Sequence, residues 1–209
     1  MTIAVVIFLA ADVWLIMRYR RYQRETAQLR ASMSEVERNR TDALLAQNEN
    51  RLKVMVELFK RQAKLDPTLH LSVSLDSAVM YLERDGALLR EMPITVGPER
   101  RVGTAPDTVH IAAPRGKRTV EEVLDENGVW DVPAWVYTDR GLPAGETRLK
   151  GALGPAAVRL DGGTVIYSLP SVGPLNDSTY VMPGSIRTRA ADLKAIAANL
   201  KLGMSVYFY

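Results

Sequence analysis

With 209 residues, 47% of them hydrophobic, the chain is long enough for one domain of about 100–150 residues plus further segments. It has no cysteine and only two histidines, His70 and His110, which excludes disulfides, a thiol nucleophile and thiolate metal sites; no metal or cofactor is expected. The net charge of +3 is uneven, with 12 Lys/Arg against 7 Asp/Glu over residues 18–66 and 15 against 16 over residues 67–209, which argues against a nucleic-acid-binding face on the folded part.

Residues 3–17 are almost wholly apolar, interrupted by Asp12 and followed at once by Arg18, Arg20, Arg21 and Arg24. Trp14, Tyr19 and Tyr22 flank the junction, as an interfacial boundary in a lipid bilayer requires. Residues 1–17 are therefore expected to form a single-pass transmembrane anchor, at the short end of what spans about 30 Å of hydrocarbon. A cleaved signal peptide is the alternative, disfavoured by the missing basic n-region and cleavage site. Asp12 is costly in lipid and is expected to face another integral membrane subunit, with Trp14 beside it. The other reading of Asp12 is hydration near the interface.

Residues 18–66 contain no glycine or proline, and Asp66-Pro67 is a stop signal, so a long helical stalk is expected. Leu45, Leu52 and Phe59 repeat at seven with Asn48, Met55 and Gln62 between them, while Leu29, Val36 and Ala43 form an earlier row out of phase. That pattern fits a coiled coil with a stutter, or a single helix packed on different neighbours along its length. At 1.5 Å per residue such a helix reaches roughly 70 Å.

From His70 the pattern shortens to strands and turns. Strands are predicted at 71–75, 78–82 and 88–96, with an Asp85-Gly86 turn, and again at 108–112, 156–160, 164–168 and 205–209. One helix is predicted over 188–200, apolar at Leu193, Ile196, Ala197 and Leu200 and ending before Gly203. The Glu121-Glu122 and Asp125-Glu126 cluster reads as a solvated loop or short helix.

The run Val181-Met182-Pro183-Gly184-Ser185-Ile186-Arg187 resembles the nucleophile loop of the L,D-transpeptidase catalytic domain, a bacterial cell-wall cross-linking fold. There the corresponding run reads Ser-His-Gly-Cys-Ile-Arg. Further resemblances follow in order: Met92-Pro93-Ile94-Thr95-Val96-Gly97, Ala105-Pro106, Trp130-Asp131-Val132-Pro133, Leu153-Gly154-Pro155-Ala156-Ala157-Val158 and Thr164-Val165-Ile166-Tyr167-Ser168. The resemblance covers about residues 71–209 and implies a β-sandwich, mainly β with one C-terminal helix, preceded by anchor and stalk. It places Ser185 at the cysteine, Pro183 at the adjacent histidine and Tyr167 at the upstream histidine. It also implies the periplasmic side of the bacterial inner membrane, whereas the arginines after the anchor favour the cytoplasm; the periplasmic side is preferred.

A serine hydroxyl is a weak nucleophile at neutral pH and needs a positioned base, and Pro183 and Tyr167 supply none. A non-enzyme is expected, with Ser185 serving as a small turn residue. Arg187 is read either as a carboxylate ligand or as a structural salt bridge. Trp130 and Trp135 bracket an apolar run that is core or, second, a partner surface. The expected role is a non-catalytic structural subunit of a larger membrane complex. The alternatives are a peptidoglycan-binding module and a serine-dependent acyl transferase.

Overall fold

The structure is a computed structural model that describes residues 18, 21, 22, 35–103, 106 and 108–209. The expected anchor, with Asp12 and Trp14, lies outside the described residues. Among the described residues no helix is long and apolar enough to cross a membrane. The chain divides into two compact units, Met1–Lys53 and Val54–Tyr209.

Helix α1 (Glu35–Leu65) stops at the predicted place. The Asp66 carboxylate accepts from both the amide and the hydroxyl of Thr68, at 2.9 and 2.6 Å, turning the chain out of the helix. Of the predicted heptad row, Leu45 and Leu52 are about half exposed. Phe59 packs on Gly116, its Cζ 3.2 Å from where a Cβ would sit. Ala63 is buried, and Lys60 lies over the Tyr209 ring at 5.4 Å. The last turns of α1 are thus part of the Val54–Tyr209 unit, and Phe59 serves that packing.

The sheet of this unit is a closed barrel of eight strands. They are β1 (His70–Ser74), β2 (Val79–Arg84), β3 (Ala87–Val96), β6 (Gly116–Asp125), β9 (Ala156–Leu160), β10 (Val165–Ser168), β11 (Ile186–Thr188) and β12 (Ser205–Phe208). Around the barrel the order is β1-β12-β6-β9-β10-β11-β3-β2, with β1–β12 and β10–β11 parallel. Two small sheets stand apart: β4 (Arg100–Val102) with β5 (Val109–Ile111), and β7 (Val129–Asp131) with β8 (Arg148–Lys150). Helices α2 (Ala134–Asp139) and α3 (Ala190–Ala197) complete the unit.

The mainly β expectation holds, with three corrections. The sheet closes on itself instead of splitting into two facing layers, because β1 pairs with both β2 and β12 and leaves no edge there. The predicted C-terminal helix is shorter, since Ile186–Thr188 pair as a strand with β3 and β10, and a second helix, α2, precedes it. Of the acidic cluster, Glu121, Glu122 and Asp125 lie in β6 and Glu126 in the turn after it: the two neighbours of β6 supply the ladder, and Arg159 on β9 reaches Glu122 at 3.2 Å.

Alternation along the strands makes two cores. Leu71, Val73, Met80, Met92, Val158, Ile166, Ile186, Val206 and Phe208 fill the barrel, joined by Leu193 and Ile196 of α3. Full burial of each large side chain is worth about 1.5–3 kcal/mol. The neighbouring residues Ala157, Val165 and Tyr167 face outward into a second cluster with Trp130, Val132, Val136, Leu175 and Met182.

Asp192, in the first turn of α3, ties that helix to β3. Its two oxygens accept from Arg90 at 3.0 Å and Arg189 at 2.6 Å. Burial works to raise the Asp192 pKa, but the hydrogen bonds and charges of Arg189 and Arg90 outweigh it and hold the carboxyl below its ordinary range. A carboxyl lowered on folding stabilises the protein fully above its unfolded pKa of about 3.9 and loses that contribution as pH falls through the folded value. Asp192→Asn is therefore expected to flatten the loss of stability below about pH 4, measured by urea denaturation across the acid range; an acid limb identical to the parent's would contradict this role.

Candidate functional site

The segment from Val181 to Ile186 is buried throughout, and Ser185 is only 1% exposed. Its shape is set by backbone hydrogen bonds. The Met182 N–H donates to the Tyr167 hydroxyl oxygen at 3.1 Å, the Ser185 N–H to the Met182 carbonyl at 3.2 Å, and the Gly97 N–H to the Ser185 carbonyl at 2.8 Å. A Cβ on Gly97 would collide with the Met182 carbonyl oxygen, so only glycine lets β3 run this close to the loop. Gly184 has φ +68, a left-handed conformation, and is covered by the Ile111 side chain and the Ala112 carbonyl.

The predicted site residues come together only in part. Tyr167, Pro183 and Ser185 share this buried region, but among the described residues no base hydrogen-bonds the Ser185 hydroxyl. Burial raises the Tyr167 phenol above its ordinary pKa, with the Met182 amide and nearby Arg187 and Arg140 opposing the shift. A phenol, and all the more one raised in this way, is protonated at neutral pH.

Neither histidine fills the gap. His70 is fully buried, its Nδ1 2.8 Å from the Thr68 carbonyl and its Nε2 3.5 Å from a Glu83 oxygen, with the Tyr207 ring edge-on. Glu83 in turn accepts from the Ser72 hydroxyl at 2.6 Å. His110 lies exposed on β5, 3.2 Å from Glu99.

Arg187 is half-buried on β11 and, among the described residues, does not make the salt bridge that is one of the two expectations for it. Its guanidinium donates to the carbonyls of Asp177 at 3.1 Å, Tyr180 at 2.9 Å and Ser178 at 2.7 Å. It therefore organises the chain that leads into the loop. Trp130 is buried in the second cluster, and Trp135 packs against it half-buried.

A second set of polar residues escaped the sequence reading. The Tyr180 hydroxyl donates to Asp139 Oδ2 at 2.8 Å, and Arg100 holds Asp139 Oδ1 at 3.0 Å. Arg140 lies over the Tyr180 ring at 4.7 Å, reaches Asp177 at 2.9 Å and donates to the Pro174 carbonyl at 3.0 Å. Burial, and then the Asp139 carboxylate, push the Tyr180 phenol far above its ordinary pKa. Thr179 first, and Arg140 with it, hold Asp177 below the usual carboxylate range. These residues are scattered over the chain and carry no spacing signal; only the Asp-x-Thr turn at Asp177 was visible locally. Among the described residues no group of His, Cys, Asp and Glu is arranged to hold a metal ion.

No family model matches the chain, and no curated protein does. Solved structures similar to it include an L,D-transpeptidase of Xylanimonas cellulosilytica, at 17% identity over 69% of this chain and 61% of that one, with a TM-score of 0.48. L,D-transpeptidase 1 of Mycobacterium tuberculosis matches at 19% identity over 68% of this chain and 61% of that one, with a TM-score of 0.43. An L,D-transpeptidase of Enterococcus faecium matches at 18% identity over 69% and 51%, with a TM-score of 0.47. The chain thus spans about three fifths or less of the length of these structures. They assign no activity, substrate or partner to it.

Two outcomes follow from the loop geometry. Tyr167→Phe leaves the buried Met182 N–H without its acceptor and is expected to cost about 1–3 kcal/mol in chemical denaturation. Arg187→Met is expected to speed amide exchange across residues 177–182 while leaving β1 and β12 protected; uniform protection would show that Arg187 does not organise this segment.

Proposed function

We propose that this chain is a non-catalytic, membrane-anchored structural subunit whose L,D-transpeptidase-like domain docks to components of a larger bacterial membrane complex. The observation that carries the reading is the use made of the loop at residues 181–185. The positions that the resemblance gives to a cysteine and its histidines hold Ser185, Pro183 and Tyr167, and the loop is packed as core. The Tyr167 hydroxyl is committed to a backbone amide, and Arg187 to three carbonyls. Side chains spent on internal packing leave the surface as the part of the domain able to act, which suits a docking role. The apolar residues 3–17 and the arginines after them support placement in the inner membrane. For the domain the periplasmic side is preferred on the L,D-transpeptidase resemblance, against the cytoplasmic side that those arginines favour.

Extraction of the tagged full chain from its native membranes in mild detergent, followed by mass spectrometry, tests this. Integral membrane subunits are expected to copurify at fixed stoichiometry. Recovery of the chain alone or with cell-wall fragments would sink the proposal in favour of peptidoglycan binding. An acyl probe or β-lactam is expected to leave Ser185 unlabelled; labelling lost in Ser185→Ala would instead establish a serine-dependent acyl transferase.

A further inference from the structure

Strands β2 and β3 run on past the rest of the barrel. The pairing of β1 with β2 ends at His70 and Glu83, and β11 meets β3 only from Ile94 to Val96. Arg84, Ala87 and Leu88 therefore have ladder partners only within the hairpin, which turns at Asp85 and Gly86, both with left-handed φ. Neither face of such a two-stranded arm is covered, so alternation hides nothing. Leu88 and Leu89 are each 53% exposed. The pairings of Leu82 with Arg90 and of Glu83 with Leu88 leave Leu89 as the extra residue of a bulge.

A second apolar point lies at the same end of the barrel. The turn between α3 and β12 is fixed by backbone bonds, from the Met204 N–H to the Lys201 carbonyl at 3.1 Å and from the Gly203 N–H to the Val120 carbonyl of β6 at 2.8 Å. It holds Leu202 outward at 72% exposure. Turn and arm share a cavity of about 350 Å³ lined by Arg84, Lys201 and Leu202, with Thr68, Asn199 and Ser205 supplying polar groups. Among the described residues no carboxylate lines it, and neither Arg84 nor Lys201 takes part in an ion pair. The acids nearby are Asp66, which accepts from Thr68 and Tyr207, Glu83, which accepts from Ser72, and Asp85 in the hairpin turn.

We propose that this end of the barrel docks on an anionic phospholipid surface, with Leu88, Leu89 and Leu202 entering the apolar layer and a headgroup phosphate taken up by Arg84 and Lys201. Two kinds of complementarity support it. Leucines carried on two separate, hydrogen-bonded elements gain by leaving water, and a lipid layer closes around such tips where a protein partner would need matching hollows. The two cations lack carboxylates of their own, and each Lys or Arg beside an anionic lipid surface strengthens binding about fivefold. Apolar area and charge together set the strength of such interfacial attachment. The inference goes beyond the docking role proposed above, since it names lipid as what meets this end, and it does not rest on residues 3–17.

The absence of cysteine supplies a clean test. Leu202→Cys in the full chain carries a single polarity-sensitive label into the proposed contact. With vesicles of phosphatidylcholine and phosphatidylglycerol the emission of the label is expected to shift to the blue. Phosphatidylcholine alone is expected to give no shift, and added salt to reverse it. Adding Arg84→Gln or Lys201→Gln is expected to lower the ratio of docked to free domain about fivefold for each cation removed. A label at Val129→Cys, exposed on β7, is expected to keep its emission with both kinds of vesicle. Near-UV circular dichroism checks the fold of each variant, and should Arg84→Gln fail to fold, Lys201→Gln alone decides the matter. Aqueous emission from the Leu202→Cys label on anionic vesicles overturns the proposal. So does an equal response to neutral vesicles, or a response that neither glutamine variant weakens. A response to inorganic phosphate but not to vesicles would make the cavity a site for the free anion and would overturn it as well.

Discussion

The wall made by β9, β10 and β11 is apolar inside the barrel and, along β9 and β10, apolar outside it as well, and the rest of the unit is arranged around that fact. Val158, Ile166 and Ile186 point into the barrel, while Ala157, Val165 and Tyr167 point out of it. A strand buried on both faces needs material on each side. Inside, the barrel and α3 supply it. Outside, the pieces that are not barrel supply it: β7, α2, the segment entering the loop, and Met182 itself. The candidate site is therefore not a cleft cut into a finished fold. It is the outer half of the packing on this wall.

That origin explains the chemistry found there. Tyr167 projects from β10 into the outer cluster, where its ring fills space and its hydroxyl takes up a loop amide that would otherwise be buried without an acceptor. Burial at the same time keeps the phenol protonated. Tyr167 thus satisfies a neighbouring amide, and Arg187 acts in the same way, its guanidinium closing three carbonyls of an irregular segment. Positions that sequence resemblance associates with reaction are here occupied by residues that solve packing and hydrogen-bonding problems.

The polar residues around the wall form a second layer. Arg100, Asp139, Arg140, Asp177 and Tyr180 come from β4, α2 and the loop entry, and each charge has a partner within 3.0 Å. Such pairs contribute modestly to net stability, because desolvation offsets much of the attraction, but removal of one partner strands the other. Their effect is to specify where appended elements sit on the barrel. The elements they join are the ones without ladder bonds to it.

The sequence alone determined the stop of α1 at Asp66-Pro67, the β1–β2–β3 meander, the strands at 156–160 and 164–168, and the closing strand. In each case the cue is local: a proline, a turn dipeptide, or strict alternation read within a few residues. It also determined that cysteine chemistry is absent and that Ser185 has no histidine beside it in the chain. Closure of the barrel was not legible, since it depends on β1 meeting β12 across nearly the whole length of the domain. The strand character of Gly116–Asp125 was hidden because its charged face resembles a solvated loop until β9 and β12 flank it. The roles of Arg187, Asp139 and Tyr180 were decided only in three dimensions. A guanidinium or carboxylate takes whichever partner folding brings within reach, and that distance is a property of the assembled chain, not of its local spacing.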